Sequence, residues 1–354
     1  MLGRIKLATL RALKGAGIFE LVADSRWRQQ RLLILCYHGT SLADEHLWRP
    51  GLYMAPTTLE QRLEILKRGK YAVLPLAEGL QHLQHGTLPS RSVAITFDDG
   101  THDFYQQAFP RLKSYGFPVT VYQTTYYTDF ERPIFNLVAS YMLWKRRGNV
   151  IQDGSEVGLT EALDLRTEAG RHKVVRSLIG RGERENLSGQ QKDELARCLG
   201  KFLGVDYETI VARRMFHLMN ARELQEVAHH GVDIQLHSHR HRTPEDEELF
   251  RREIHDNRQR IRALVASTTQ HFCYPSGVYR PQFLGWLRQE QVVSATTCDA
   301  GLVTCRTEPL LMPRFVDNQN QTNLGFESWL SGVGDLLAFR RTASQKYTPK
   351  ETDS

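Results

Sequence analysis

The chain has 354 residues, enough for one large α/β barrel or two ordinary domains around a substantial core. Lysine and arginine outnumber aspartate and glutamate by 46 to 40, and the resulting formal charge of +6 is too mild and dispersed for a nucleic-acid footprint. The 5 cysteines (Cys36, Cys198, Cys273, Cys298 and Cys305) form no CxxC pair, which speaks against a disulfide framework and against a cysteine zinc site.

In chain order, residues 1–29 come first as a basic amphipathic segment. Leu2, Ile5, Leu10, Leu13 and Ile18 recur at roughly helical spacing among Arg4, Lys6, Arg11 and Lys14. Such a helix either packs on its own domain or lies on an anionic membrane surface. The first 18 residues lack the continuous apolar stretch of a signal peptide, and no run of 18 apolar residues occurs. The expectation is a cytoplasmic protein with a peripheral position at the inner membrane face. Residues 32–36 form an apolar run that predicts a buried strand ending in Tyr37 and His38. A helix over 57–68 and a strand over 71–74 follow, then a strand over 93–97 that stops at Asp98, Asp99 and Gly100. A helix over 104–115 and a strand over 119–123 complete the first half.

Residues 129–217 break this rhythm and read as a mostly helical insertion, with an apolar stretch at 134–144 and a turn at 180–186. Asn220 with Glu223 three residues on makes a capping-box start to a helix ending near Gly231. Strands over 232–236, 272–274, 292–295 and 310–316 then alternate with helices over 245–265 and 281–290, while the tail 344–354 reads as disordered. Alternating strands and helices argue for a parallel sheet with crossover helices.

Polar clusters follow four of these strands: His38; Asp98 with Asp99; HSHRH at 237–241; and YPSG at 274–277. In parallel α/β folds the carboxyl ends of the strands share one face, where ligands bind. The adjacent carboxylates Asp98 and Asp99 repel unless a cation neutralises one, although a solvated Asp-Asp-Gly turn is the plainer reading of that stretch alone. His237, His239 and His241 fall on every second residue, so periodicity offers three imidazoles without choosing among them. One Asp with two His would leave an ion positively charged with positions open for water, a catalytic arrangement. His38 is either a satisfied strand-end histidine or a proton donor.

TFDDG at 96–100 and HSHRH at 237–241 resemble the first two motifs of the polysaccharide deacetylases, carbohydrate esterase family four with its NodB-like domain. YPSG resembles the third, and Tyr37-His38 the early Tyr-His pair of one bacterial branch. The resemblance covers about residues 30–125 and 218–317 and implies a distorted, incomplete (β/α) barrel of about seven strands spanning 30–343. It implies that Asp99, His237 and His241 bind a divalent metal, zinc above others, that Asp98 is the general base, and that His239 is a spacer. Two departures stand out: Cys273 occupies the place of the arginine opening the third motif, and the late Leu-x-His motif is missing. His38 is therefore assigned as the acid and Arg314 as the arginine orienting Asp98, with Tyr274 and Pro275 as substrate-binding or orienting residues.

The implied activity is hydrolysis of an N-acetyl group from an amino sugar in a polysaccharide, oligosaccharide or glycolipid precursor, including lipid-linked or nucleotide-linked sugars. The alternatives are a metal-dependent O-acetyl esterase or other C–N hydrolase, and a glycan-binding module without catalysis.

Overall fold

The computed structural model describes residues 2–159 and 162–338, so the tail over 344–354 lies outside the described residues. Eight short parallel strands build one sheet: β1 (Leu33–Tyr37), β2 (Ala72–Val73), β3 (Ser92–Phe97), β4 (Thr120–Gln123), β5 (Asp233–Leu236), β6 (His271–Cys273), β7 (Ser294–Thr296) and β8 (Phe315–Val316). Seven lie in the order β7-β6-β5-β4-β3-β1-β8. The eighth, β2, pairs with Ser92 and Val93 at the start of β3, while β4 pairs with Thr96 and Phe97 at its end. β1 (LILCY) and β3 (SVAITF) are buried at every residue, as parallel strands covered on both faces must be.

The sheet curls because residues 309–316 bond to both of its edges. The Ala295 amide donates to the Pro309 carbonyl and the Met312 amide to the Ala295 carbonyl, at 2.8 and 2.9 Å. A few residues on, Phe315 and Val316 pair with Leu35 and Cys36 of β1. The strand expected over 310–316 is thus regular only at 315–316, since its earlier residues bridge across to β7. This is the distorted, incomplete (β/α) barrel that the resemblance implied.

Residues 129–217 carry helices Phe135–Lys145, Glu168–Arg184, Gly189–Leu203 and Tyr207–Ala212 together with a small antiparallel pair, Val150–Ile151 with Leu163–Asp164. They share a second apolar core, including Val138, Met142, Leu178 and Leu199. Trp48 and Phe216 join that core to the barrel, their rings 5.4 Å apart. The turn expected over 180–186 is confined to its end, Glu185 and Asn186. Thr167 caps a helix that runs through Gly180 and Gly182 to Arg184, because Val174, Val175 and Leu178 hold its inner face on the core.

At the N-terminus, Leu10 and Phe19 pack on Val333, with Leu13 and Ile18 beside them. Most of the apolar stripe is therefore covered by the domain's own last helices, Asn323–Ser331 and Val333–Leu337, which the sequence reading did not include; Ile5 stays exposed. Buried Arg28 stitches these parts to the sheet, donating to the Leu330 carbonyl at 3.1 Å and the Ser92 carbonyl at 3.0 Å. Among the described residues no helix is long and apolar enough to cross a membrane.

The helix after β3 opens with a π-turn, Phe104–Ala108, of the kind often found near functional sites. Just before it lies buried Asp103, whose Oδ1 accepts from Thr101 Oγ1 at 2.8 Å and the Thr40 amide at 3.2 Å. Burial pushes this carboxyl up from 3.8 to about 7, and the Thr101 and Thr40 hydrogen bonds only partly offset it. A raised folded-state pKa means the native state holds the proton more tightly, so stability is full below about pH 4 and declines as pH climbs towards 7. Asp103→Asn keeps an oxygen for both donors and removes that decline. The variant is expected to melt about 2 °C or more above the parent at pH 8 and by a smaller margin at pH 5, as differential scanning calorimetry would show.

Candidate active site

Chain turns at the carboxyl ends of β1, β3, β5 and β6 bring the four polar clusters to one face. Gly100 closes the turn after β3 at φ 73°, where an added Cβ would lie 1.8 Å from Gln123 Oε1. Asp99 (φ 69°), Ser238 (φ 60°) and His241 (φ 55°) also occupy the left-handed region, although none is glycine. Such strain gathers where side-chain direction matters, and it turns Asp98 and Asp99 to different surroundings.

Asp98 faces inward. Arg314 grips it with both nitrogens, Nη1 to Oδ1 at 2.7 Å and Nη2 to Oδ2 at 2.8 Å, with neither side chain reaching solvent. The guanidinium also donates to the Thr297 carbonyl at 3.0 Å and to Thr96 Oγ1 at 3.2 Å, which fixes its plane. Burial would raise the Asp98 carboxyl, but the Arg314 charge overrides this and holds it well below the usual carboxylate range. Two thiols complete the pocket: Cys273 Sγ at 3.3 Å and Cys36 Sγ at 3.6 Å from Asp98 Oδ2. Burial pushes both thiols up, so each keeps a proton to donate. His38 Nε2 stands 3.7 Å from the same oxygen with its ring partly open to solvent.

Asp99 faces the histidines. Its Oδ1 is 3.2 Å from His237 Nε2 and 3.2 Å from His241 Nε2. That oxygen is shut off from solvent and accepts no well-formed hydrogen bond, an orphaned buried acceptor that a cation would satisfy. Donors bound about 2.05 Å from a tetrahedral ion lie about 3.3 Å apart, close to the spacing seen. His237 Nδ1 donates to the Cys273 carbonyl at 2.8 Å, which leaves the Nε2 lone pair facing Asp99. The residues therefore fit a divalent ion.

His239 is turned elsewhere: its Nδ1 shares a hydrogen bond of 2.9 Å with Thr125 Oγ1 and lies outside the cluster of Asp99, His237 and His241. Tyr274 needs correction as a substrate-binding residue. Its ring is fully buried, its hydroxyl donates to the Leu310 carbonyl at 3.1 Å, and its amide donates to the Thr296 carbonyl at 3.2 Å. Strand pairing has thus committed the amide, and Tyr274 with buried Pro275 shapes the turn after β6. Missing from the sequence reading were the thiols of Cys36 and Cys273; their one signal was that each closes or nearly closes an apolar strand just before a tyrosine.

With a half-barrel of parallel strands and carboxylates and imidazoles at its mouth, the chain has the makings of a hydrolase. The model of the polysaccharide deacetylase family matches residues 85–159 and 207–293, the segments that hold TFDDG, HSHRH and YPSG. Over 67 residues, 19% of this chain and 23% of the relative, it is 36% identical to a poly-β-1,6-N-acetyl-D-glucosamine N-deacetylase of Staphylococcus aureus. The matches span less than a third of the length of the curated relatives. Among solved structures, the Streptococcus pyogenes deacetylase PplD in complex with acetate gives a TM-score of 0.55 over 83% of this chain and 96% of that one, at 18% identity. IcaB from Ammonifex degensii gives 0.53 over 85% and 97%, at 16% identity. At these identities the likeness is one of fold.

Arg314→Met would leave Asp98 buried without its counter-ion, and the variant is expected to lose about 3–5 kcal/mol of stability in urea unfolding; a loss under about 1 kcal/mol would mean the pair is not structurally coupled. Asp99→Ala and His241→Ala are expected to purify without bound metal while His239→Ala retains it, measured by inductively coupled plasma mass spectrometry. Equal metal content in all three would refute the ligand set.

Proposed function

We propose that the protein removes an N-acetyl group from an amino sugar of a glycan or of a lipid-linked or nucleotide-linked precursor, releasing acetate and leaving a free amine. One observation carries this reading: Asp98, buried and clamped by Arg314, lies beside His38 at the strand ends where Asp99, His237 and His241 also gather. The named activity of the Staphylococcus aureus relative and the acetate bound to the Streptococcus pyogenes deacetylase support it.

A divalent ion held by Asp99, His237 and His241, with zinc the best match to two imidazoles and one carboxylate, would acidify an attacking water and polarise the acetyl carbonyl. Asp98 takes one proton from that water as its oxygen bonds to the carbonyl carbon. Arg314 fixes the plane of the Asp98 carboxylate and keeps it ionised, so Oδ2 is aimed and ready before substrate arrives. The carbon–nitrogen bond then breaks, and His38 hands a proton to the nitrogen, which leaves poorly as an anion. Acid and base on neighbouring strands let the two proton transfers occur from different directions.

An O-acetyl ester is attacked by the same groups, but its alkoxide leaves more easily and depends less on an acid. Asp98→Asn is expected to retain metal and lose roughly a hundredfold or more in acetate release from N-acetylated sugars. His38→Ala should lower N-acetyl cleavage more than O-acetyl cleavage. Near-normal turnover by Asp98→Asn would remove the base, and release of acetate only from O-acetylated sugars would replace the amidase reading with the esterase one. No release from either, with glycan still bound, would favour a binding module.

A further inference from the structure

The helix Glu247–Leu264 presents a buried stripe of Phe250, Glu253, Ile254, Asn257 and Ile261. Glu253 and Asn257 thus stand where helical spacing calls for apolar residues. A carboxylate or carboxamide withdrawn from water is tolerated only when its hydrogen bonds are met inside. Here they are met by the loop that carries the proposed histidine ligands.

Asn257 Oδ1 accepts from the His237 amide at 3.0 Å, and its Nδ2 donates to the Gln123 carbonyl and to Thr125 Oγ1, each at 2.9 Å. One turn earlier on the helix, the Glu253 carbonyl accepts from the His239 amide at 3.1 Å. The Glu253 side chain, 1% exposed, takes three further donors: Oε2 accepts from the Arg240 amide at 2.7 Å, and Oε1 from Arg240 Nη1 at 3.0 Å and Arg242 Nε at 2.8 Å. The Arg242 amide in turn donates to Ser238 Oγ at 2.9 Å, which closes the loop on itself. The residues on either side of His241 are therefore tied to one buried carboxylate.

The two histidines differ in what they need. His237 is enclosed, and its Nδ1 is fixed on the Cys273 carbonyl. His241 is the most exposed of the three proposed ligands, its side chain 41% open to solvent against 24% for Asp99 and 2% for His237. Its φ of 55° lies in the left-handed region, which a residue with a side chain keeps only when its surroundings hold it there. We propose that Glu253 is the positioning residue for His241: by gripping Arg240 and Arg242 it holds the intervening residue in the conformation that sets Nε2 3.2 Å from Asp99 Oδ1. A carboxamide at 253 would turn its NH₂ group towards donors already in place, so charge matters here as well as shape. The proposal rests on Asp99, His237 and His241 as the ligand set and adds what fixes its least enclosed member.

The test is the affinity of the metal-free protein for zinc, measured by competition with a chelator. Glu253→Gln is expected to weaken it by about ten- to a hundredfold, the scale for groups that orient a ligand. In a His241→Ala background the same substitution should change the affinity by less than about twofold, because the residue it acts through is gone. With cobalt(II) in place of zinc, the visible absorption of Glu253→Gln should match that of His241→Ala and differ from the parent's. Unchanged zinc affinity in Glu253→Gln overturns the clamp, and so does an equal loss in both backgrounds, which would mean a general loosening. A parent that binds no zinc refutes the ligand set itself, and the clamp falls with it. Should Glu253→Gln melt early, Arg242→Met, which removes one partner on the exposed side, is read in the same cycle. A loss that vanishes in the His241→Ala background supports the clamp, and an unchanged affinity overturns it.

Discussion

The two-pronged ion pair between Arg314 and Asp98 is the constraint on which the rest of the site depends. A guanidinium and a carboxylate buried together are tolerated only with near-ideal geometry and with their remaining donors satisfied. Here the Thr297 carbonyl, the Thr96 hydroxyl and the Cys273 sulfur take the three remaining guanidinium hydrogens, so the pair is anchored to β3, to β6 and to the end of β7 at once. Arg314 sits on the segment that bridges the open edges of the sheet. The same contact therefore holds the barrel's seam and aims the proposed base. A shift of that seam would uncouple fold and chemistry together.

This arrangement accounts for the departure at position 273. An arginine there as well as at 314 would place two buried cations against one carboxylate. A thiol kept protonated by burial instead adds a weak hydrogen bond to Asp98 Oδ2 and lies 3.1 Å from Arg314 Nη2, without competing for charge. The carboxylate has one counter-ion, and it comes from the seam.

The strands were legible because parallel strands buried on both faces are largely apolar runs, as β1 and β3 are, each ending in polar residues. The capping box at Asn220 and Glu223 was legible for the same local reason. What sequence could not show depends on register. Whether Arg314 points into the barrel follows from how residues 309–316 cross from β7 to β1, and no local pattern encodes that. Tyr274, expected to bind or orient substrate, has its amide taken by strand pairing and its hydroxyl by the Leu310 carbonyl. Glycines at 180 and 182 suggested a turn, yet tertiary burial of Val174 and Leu178 carried the helix through them.

Asp98 and Asp99 are neighbours in the chain with opposite surroundings, and that asymmetry is the chemistry. One lies among a guanidinium and two thiols, sealed and already neutralised; the other offers an orphaned oxygen to two imidazoles. Adjacent carboxylates would ordinarily share a proton to relieve their repulsion. Positive φ at Asp99 separates their directions: Asp98 has the Arg314 guanidinium as its counter-ion, and Asp99 presents its oxygen where a cation shared with His237 and His241 would neutralise it. The proposed base and the proposed ligand thus come from one Asp-Asp pair by way of a single turn, which closes on Gly100 in the left-handed region.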